Sequence, residues 1–453
     1  MLISVNPTTG AEWARYPELT PGALEQALSL VETASGSWSR TPLDLRLERL
    51  EALARVIEAR RESLAALAVS EMGKRLCEAQ AELDKCARLC RQLQEDAPRH
   101  LADEPVATEA RSSLIRYAPL GPLLGIMPWN FPYWQVLRFA APALTAGNTI
   151  LIKHAPNVTG VACAIEACFN EAGFPEGVFQ ALRIPVEETA RVIADFRIRG
   201  VSLTGSPRAG RAVAAAAGAH LKKCVLELGG SDPWILLEDA DLGSAIQAGI
   251  TARFQNCGQS CIAAKRFLVD ARIYDRFLEG FVAEVRNLVP GDPLDAGTTL
   301  APLAREDLRD ALRVQVDDAR AAGARIPVGG APIDRPGFFY APTVVTDLTA
   351  GMRVFREEVF GPAALVFKVA DEQEALSLAG ATPYGLGASI WTRDRERASR
   401  LADALPSGMV FVNAPVKSDP RLPFGGIRDS GFGRELAASG MREFVNVRTV
   451  WMA

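Results

Sequence analysis

Histidine is nearly missing from this sequence: His100, His154 and His220 are the only three among 453 residues. A Ser-His-Asp hydrolase needs a histidine base, so that class has few candidates. Zinc needs clustered Cys, His or carboxylate ligands, and neither a cluster nor a CxxC pair is present, so no metal is expected. The 8 cysteines are too few and too scattered for a disulfide framework. Basic runs are also absent. With 50 Lys+Arg against 54 Asp+Glu the net charge is -4, which attracts neither nucleic acid nor an anionic membrane. No apolar stretch is long enough to cross a bilayer. The start, MLISVNPTTGAEW, lacks the basic and apolar regions of a signal peptide. These absences leave a cytoplasmic protein with a small-molecule partner as the expectation.

What is present is an ordinary globular balance, 48% hydrophobic and 23% charged, at a length for two to three domains. Residues 22–36, 43–71 and 75–96 have helical periodicity with charged faces, and 112–118 (SSLIRYA) alternates like a strand. From residue 122, short apolar runs (122–127, 149–153, 178–182, 200–204, 224–228) alternate with helical segments (132–146, 157–172, 188–195, 207–219, 242–254). TVVTDL, ALVFKVA, GASIWT and MVFVNA repeat that grammar later in the chain. Buried strands alternating with helices imply parallel α/β sheets, here in two domains.

Four places carry chemistry. In FQNCGQSC (254–261), Cys261 follows a Gly-Gln-Ser turn after a helix, a position that suits a nucleophilic thiolate, although a cysteine is more often a small core residue. In CVLELGGSDP (224–233), Glu227 is the only charge in an apolar strand, so it is either ion-paired or a base with a raised pKa. In PWNFPYW (128–134), Asn130 precedes a helix and either caps it or donates its amide into a cleft. In LTGSPRAG (203–210), a strand runs through Gly205-Ser206 into a helix, whose N-terminus suits a phosphate; it is not the GxGxxG fingerprint.

Seven motifs stand in order: PWNFP, ILIKHAP, LTGSPRAG, ELGGSDP, GQSC, REEVFGP and PFGGIRDSGFGRE. With them the chain resembles the aldehyde dehydrogenase superfamily over essentially its whole length, and most of all its bacterial NAD(P)-dependent succinate-semialdehyde dehydrogenases. The resemblance implies an aldehyde oxidised to its acid with NAD or NADP through a cysteine thioester. Cys261 matches the nucleophile, Glu227 the general base and Asn130 the oxyanion donor. Lys153, followed by His154, Ala155 and Pro156, matches the adenosine ribose site. Gly205 and Ser206 match the pyrophosphate turn, Glu358 the holder of the nicotinamide ribose, and Phe360, Trp129 and Leu228 other walls of the cofactor pocket. The implied fold is α/β: a Rossmann-type cofactor domain (1–100 and 121–230), an α/β catalytic domain (231–422) and a small β oligomerisation element (101–120 and 423–453) that joins subunits into a homodimer or homotetramer.

Three positions depart from the pattern. Pro156 replaces the Glu that repels a 2′-phosphate in NAD-strict relatives, which predicts use of both NAD and NADP. Arg138 lies eight residues after Asn130 and matches an arginine for the substrate carboxylate, with a structural ion pair as its other reading. Gln255 stands where relatives often have a second arginine, so Lys417, Ser418 or Arg421 is expected to supply a polar contact. Cys257, four residues before Cys261, is placed beside the substrate as a thiol that oxidation could join to the nucleophile. Cys86 and Cys90 are expected to pack. The rival readings are a dehydrogenase for another semialdehyde or an aliphatic aldehyde, a thiol esterase, and a catalytically silent relative.

Overall fold

The runs Pro122–Met127, Thr149–His154 and Gly200–Thr204 are buried along almost their whole length. A strand buried on both faces belongs inside a sheet covered on both sides. In the computed structural model, which describes residues 1–453, these three are inner members of a six-stranded sheet. Its order is Gly431–Phe432, Lys223–Glu227, Gly200–Thr204, Pro122–Met127, Thr149–His154, Phe179–Ala181. Neighbours run parallel except at the short Gly431–Phe432 edge. The chain starts at Pro122–Met127, winds out to Phe179–Ala181, then returns on the other side at Gly200–Thr204. Such a reversal opens a crevice at the C-terminal ends of the adjoining strands, where ligands bind in open α/β sheets. Trp129 and Asn130 follow one of these strands, and Gly205 and Ser206 the other.

Separate hydrophobic cores cover the two faces, one built with helices Leu43–Ala59 to Trp134–Thr145, the other with Pro21–Trp38 and Pro207–Ala219. Past Leu228–Ser231 the chain enters a seven-stranded sheet with its own core. Its order is Arg325–Val328, Thr343–Thr346, Ala363–Val369, Ala264–Asp270, Asp232–Leu236, Gly387–Trp391, Met409–Val412, parallel except for the first pair. A third, antiparallel sheet pairs Val445–Met452 with Ser112–Pro119 and adds Glu104–Pro105. No helix is long and apolar enough to cross a membrane.

Two segments differ from the sequence reading. The helix expected over 43–71 breaks at Arg60 into Leu43–Ala59 and Arg61–Met72, with φ -99 and ψ 8 at the break and no Gly or Pro to announce it. Residues 423–436 do not stay with the small β element. They turn back to the junction of the two large sheets, where Phe424 bridges Glu435 and Gly431 pairs with Glu227. Glycine permits this approach: Gly425 has φ +150, and a Cβ there would lie 2.6 Å from Glu227 Oε1.

Candidate active site

The nucleophile loop is built from a helix that stops abruptly. Leu242–Phe254 is N-capped by Asp241, which accepts from Ser244 N–H at 2.9 Å. After it, Asn256, Cys257 and Gly258 all take left-handed backbone, at φ 53, 56 and 70. Such conformations in non-glycine residues persist only where the surroundings enforce them. Here Asn256 N–H donates to Glu78 at 2.9 Å, its Nδ2 donates to Asn130 O at 2.8 Å, and Gln259 Nε2 donates to Asn256 O at 3.1 Å. Cys261 follows, half-buried on a cavity wall. Burial pushes its pKa up to about 12, against the opposing pull of Arg138 and Lys265.

Asn130 reaches the same loop from the first sheet. Its Nδ2 donates to Gln259 O at 3.0 Å, which uses one amide hydrogen and leaves the second without a protein acceptor. The helix behind it, Trp134–Thr145, is anchored at its start by buried Glu82, which accepts from Tyr133 and Trp134 N–H at 2.8 Å each and pairs with buried Lys74.

Glu227 ends its strand fully enclosed, with neither carboxyl oxygen hydrogen-bonded. Burial raises its pKa well above the ordinary carboxylate range, and neighbouring Glu435 raises it further. Glu435 is itself raised by burial. Arg138 is buried with them. It pairs with Glu435, lies 4.4 Å over the Phe424 ring and donates to Thr204 at 3.4 Å. The sequence reading gave Arg138 to a substrate carboxylate. The structure shows the ion pair that was its other reading: the guanidinium reaches the cavity wall, and Glu435 matches its charge.

On the cofactor side, Lys153 is 4% exposed and makes no ion pair or hydrogen bond within the chain. Burial lowers its pKa to about 8. An unpartnered buried cation in this crevice fits a ligand bearing hydroxyls or phosphate. Ser206 caps the helix Pro207–Ala219 through Ala209 N–H at 3.3 Å. A Cβ at Gly205 would meet nothing closer than 3.7 Å, so the strand end stays open to a ligand. Leu228 packs beneath that helix, where Gly210 leaves room for it. Glu358 accepts from Gly230 N–H at 3.1 Å, and Phe360 meets Trp129 edge-on at 5.8 Å. These residues fit a pyridine dinucleotide. The His154 ring is turned to the main chain instead. Burial lowers its pKa to about 4, and its ring joins main chain: Nε2 lies 2.9 Å from Pro132 O, and Nδ1 accepts from Ala155 N–H at 2.9 Å. It fixes the strand end, while Ala155 and Pro156 begin the short turn that follows.

Two buried cations missed in the sequence bind these parts together. Arg253 donates to Ala363 O at 2.7 Å and Val359 O at 3.0 Å, and also to Gly361 O, tying the nucleophile helix to the Glu358–Phe360 loop. Lys265 donates to Ser260 O at 2.8 Å and Cys261 O at 2.6 Å, and pairs with Glu358 at 3.1 Å. A lysine inside an apolar strand four residues past the nucleophile was the available signal.

The cavity facing Cys261 has a volume of about 320 Å³, enough for a small organic molecule. Gln255, Ser418 and Lys417 line it. Cys257 does not line it. Its side chain turns into the core of the second sheet, where burial raises its pKa, which removes it from the substrate site. Arg421 is also displaced, paired with Asp419 on the surface. Lys85, unnoticed in the sequence, stands in the cavity wall.

A thiol, a spare amide hydrogen and enclosed carboxyls stand where a dinucleotide crevice meets a second α/β sheet, an arrangement that suits one class of protein, the NAD(P)-dependent oxidoreductases. The chain belongs to the aldehyde dehydrogenase family, whose sequence profile matches residues 2–450. Among similar proteins, a probable succinate-semialdehyde dehydrogenase [NADP(+)] of Synechocystis is 46% identical over 452 residues, covering 100% of both chains. The succinate semialdehyde dehydrogenase [NAD(P)+] Sad of Escherichia coli is 46% identical over 449 residues, covering 99% of this chain and 97% of that one. Among solved structures, succinic semialdehyde dehydrogenase from Streptococcus pyogenes in complex with NADP+ superposes with a TM-score of 0.98 at 35% identity, covering 100% of both chains.

Proposed function

We propose that the protein oxidises succinate semialdehyde to succinate, with NADP or NAD as acceptor, through a thioester on Cys261. The observation that carries the substrate class is the charge of the cavity. Lys85, Arg88 and Lys417 line it together with Arg138, whose charge Glu435 matches, while the carboxylates of the wall, Glu78 and Glu82, are already paired with Arg75 and Lys74. The wall therefore favours an anionic aldehyde. The names of the relatives agree. Lys153 without a counter-ion, and Pro156 where a carboxylate would repel phosphate, support acceptance of NADP.

In this reading the Cys261 thiol gives its proton to solvent water and the thiolate Sγ bonds to the aldehyde carbon, the carbonyl π electrons moving onto oxygen. The free amide hydrogen of Asn130 and the Cys261 backbone N–H hold the oxyanion, a contact typically worth roughly 3–4 kcal/mol. The bound dinucleotide supplies the acceptor for the hydride that departs from that carbon. Glu227 then takes a proton from water, whose oxygen attacks the thioester carbon; the C–S bond breaks and the acid leaves. A base retained beside the thioester favours hydrolysis over transfer to another thiol.

Subunits join through the exposed edge of Val445–Met452, where Val447, Trp451 and Met452 present apolar surface, and a dimer or tetramer results. Eight unpaired cysteines accord with a reducing cytoplasm. The test is initial rates with succinate semialdehyde, propionaldehyde and benzaldehyde, each with NAD and NADP. Preference for the acidic aldehyde is expected. Preference for an uncharged one would discard the anionic substrate, and inactivity with every pair would discard the mechanism.

A further inference from the structure

Helix Leu76–His100 presents Glu78, Ala81, Glu82, Lys85 and Arg88 to the cavity, spaced by three or four so that they share one face. The charged members of this wall differ in their company. Glu78 pairs with Arg75, Glu82 with Lys74, and Arg138, across the cavity, with Glu435. Arg88 and Lys417 are exposed at the rim. Lys85 is half-buried and has no carboxylate within ion-pairing distance. Its Nζ lies 4.0 Å over the Trp134 ring and donates to Ser418 Oγ. An ammonium carries three hydrogens, so two remain to be placed.

We propose that Lys85, oriented by Trp134 and Ser418, binds the carboxylate at the far end of the substrate and sets the preference for an acidic aldehyde. This rests on the reading of the cavity as an aldehyde site. It moves the specificity contact from Arg138, whose charge is matched inside the protein, to the one enclosed cation of the wall whose charge is not.

The physical reason is compensation. An ammonium partly removed from water without an anion is costly to keep charged. Burial, with Arg138 nearby, lowers the Lys85 pKa to about 8. A structural lysine would have found a carboxylate, but the nearby ones are taken. An entering carboxylate supplies the missing charge and accepts the free hydrogens, with Ser418 alongside. An uncharged aldehyde supplies neither.

The experiment compares kcat/KM for succinate semialdehyde and for butanal, its uncharged four-carbon analogue, in wild type, Lys85→Met and Lys85→Arg. Lys85→Met is expected to lose about 10- to 100-fold on the acidic aldehyde, mainly through KM, the range for a hydrogen bond to a charged group. Butanal should change less than about threefold, and Lys85→Arg should recover much of the loss. In parallel, inhibition by succinate should weaken by a similar factor in Lys85→Met. Equal losses on both aldehydes, or an unchanged ratio, would overturn the role of Lys85. If Lys85→Met does not fold, Lys85→Gln is read the same way. If wild type itself shows no preference for the acidic aldehyde, the substrate reading fails first; preference in wild type that survives in Lys85→Met refutes only this inference.

Discussion

Replacing Lys265 with Met tests how the nucleophile is controlled. Lys265 is fully buried, donates to Cys261 O at 2.6 Å and Ser260 O at 2.8 Å, and pairs with Glu358 at 3.1 Å. Its positive charge is one of two that draw the Cys261 pKa down against burial, the other being Arg138. Methionine keeps the stem and removes the charge. It also leaves the Glu358 carboxylate unpaired, and both changes disfavour a thiolate. An opposite charge at about 4–6 Å shifts a pKa by roughly 1–3 units, and each unit is a factor of ten in thiolate at fixed pH. With the wild-type thiol raised by burial, thiolate is a small fraction near neutral pH. Lys265→Met should lower it roughly another 10- to 100-fold. The assay is alkylation of Cys261 by iodoacetamide from pH 7 to 10 without cofactor, followed on the Cys261 peptide by mass spectrometry so that exposed Cys77 does not interfere. Wild type should speed up about tenfold per pH unit without a plateau. Lys265→Met should run parallel and lower, and Lys265→Arg should restore most of the rate. An equal or faster rate in a folded Lys265→Met protein would refute the electrostatic argument.

Glu227→Gln should give one rapid burst of reduced cofactor and then stall at the thioester, seen by stopped-flow absorbance; loss of the burst itself would assign the thiol proton to Glu227 as well. Burial raises both Glu227 and Glu435, and a base works only when deprotonated, so kcat should fall with decreasing pH through a pKa above the ordinary carboxylate range. A kcat profile flat down to pH 5 would contradict this. Asn130→Ala should cost about 100- to 1,000-fold in kcat with little change in thermal unfolding, and a drop confined to KM would remove it from the oxyanion site. Pro156→Glu should lower kcat/KM with NADP at least about tenfold relative to NAD, the scale of one charge repulsion; an unchanged cofactor ratio would place the 2′-phosphate elsewhere.

The sheets were legible in the sequence because their strands are buried on both faces and read as unbroken apolar runs between helices. The break at Arg60 was not, since both halves keep the helical period and no Gly or Pro marks the join. Cys261, Glu227 and Asn130 stood out through motif context, and Lys153 only through the family resemblance. What spacing could not supply was the choice of partner among charged groups. Arg138 meets a carboxylate almost 300 residues away, and Glu435 became its partner only when the glycine-rich turn brought it back. His154 stood in the motif of the adenosine ribose site, and the sequence held no sign of the backbone contacts that occupy its ring. Arg253 and Lys265 were not legible because most of their partners are main-chain carbonyls, which no side-chain spacing marks. Spacing could not single out Lys85, since Glu82 stands one turn before it; only the fold shows that Lys74 has taken that carboxylate.

The return of residues 424–435 to Glu227 sets an order on assembly. During synthesis the thiol, the amide donor and most of both large sheets leave the ribosome first. Until the glycine-rich turn follows, Arg138 has no Glu435 and Glu227 lies against no Gly425. The chain thus carries Cys261 through the later part of its synthesis without the groups that enclose Glu227, and that enclosure forms only once residue 435 has been added.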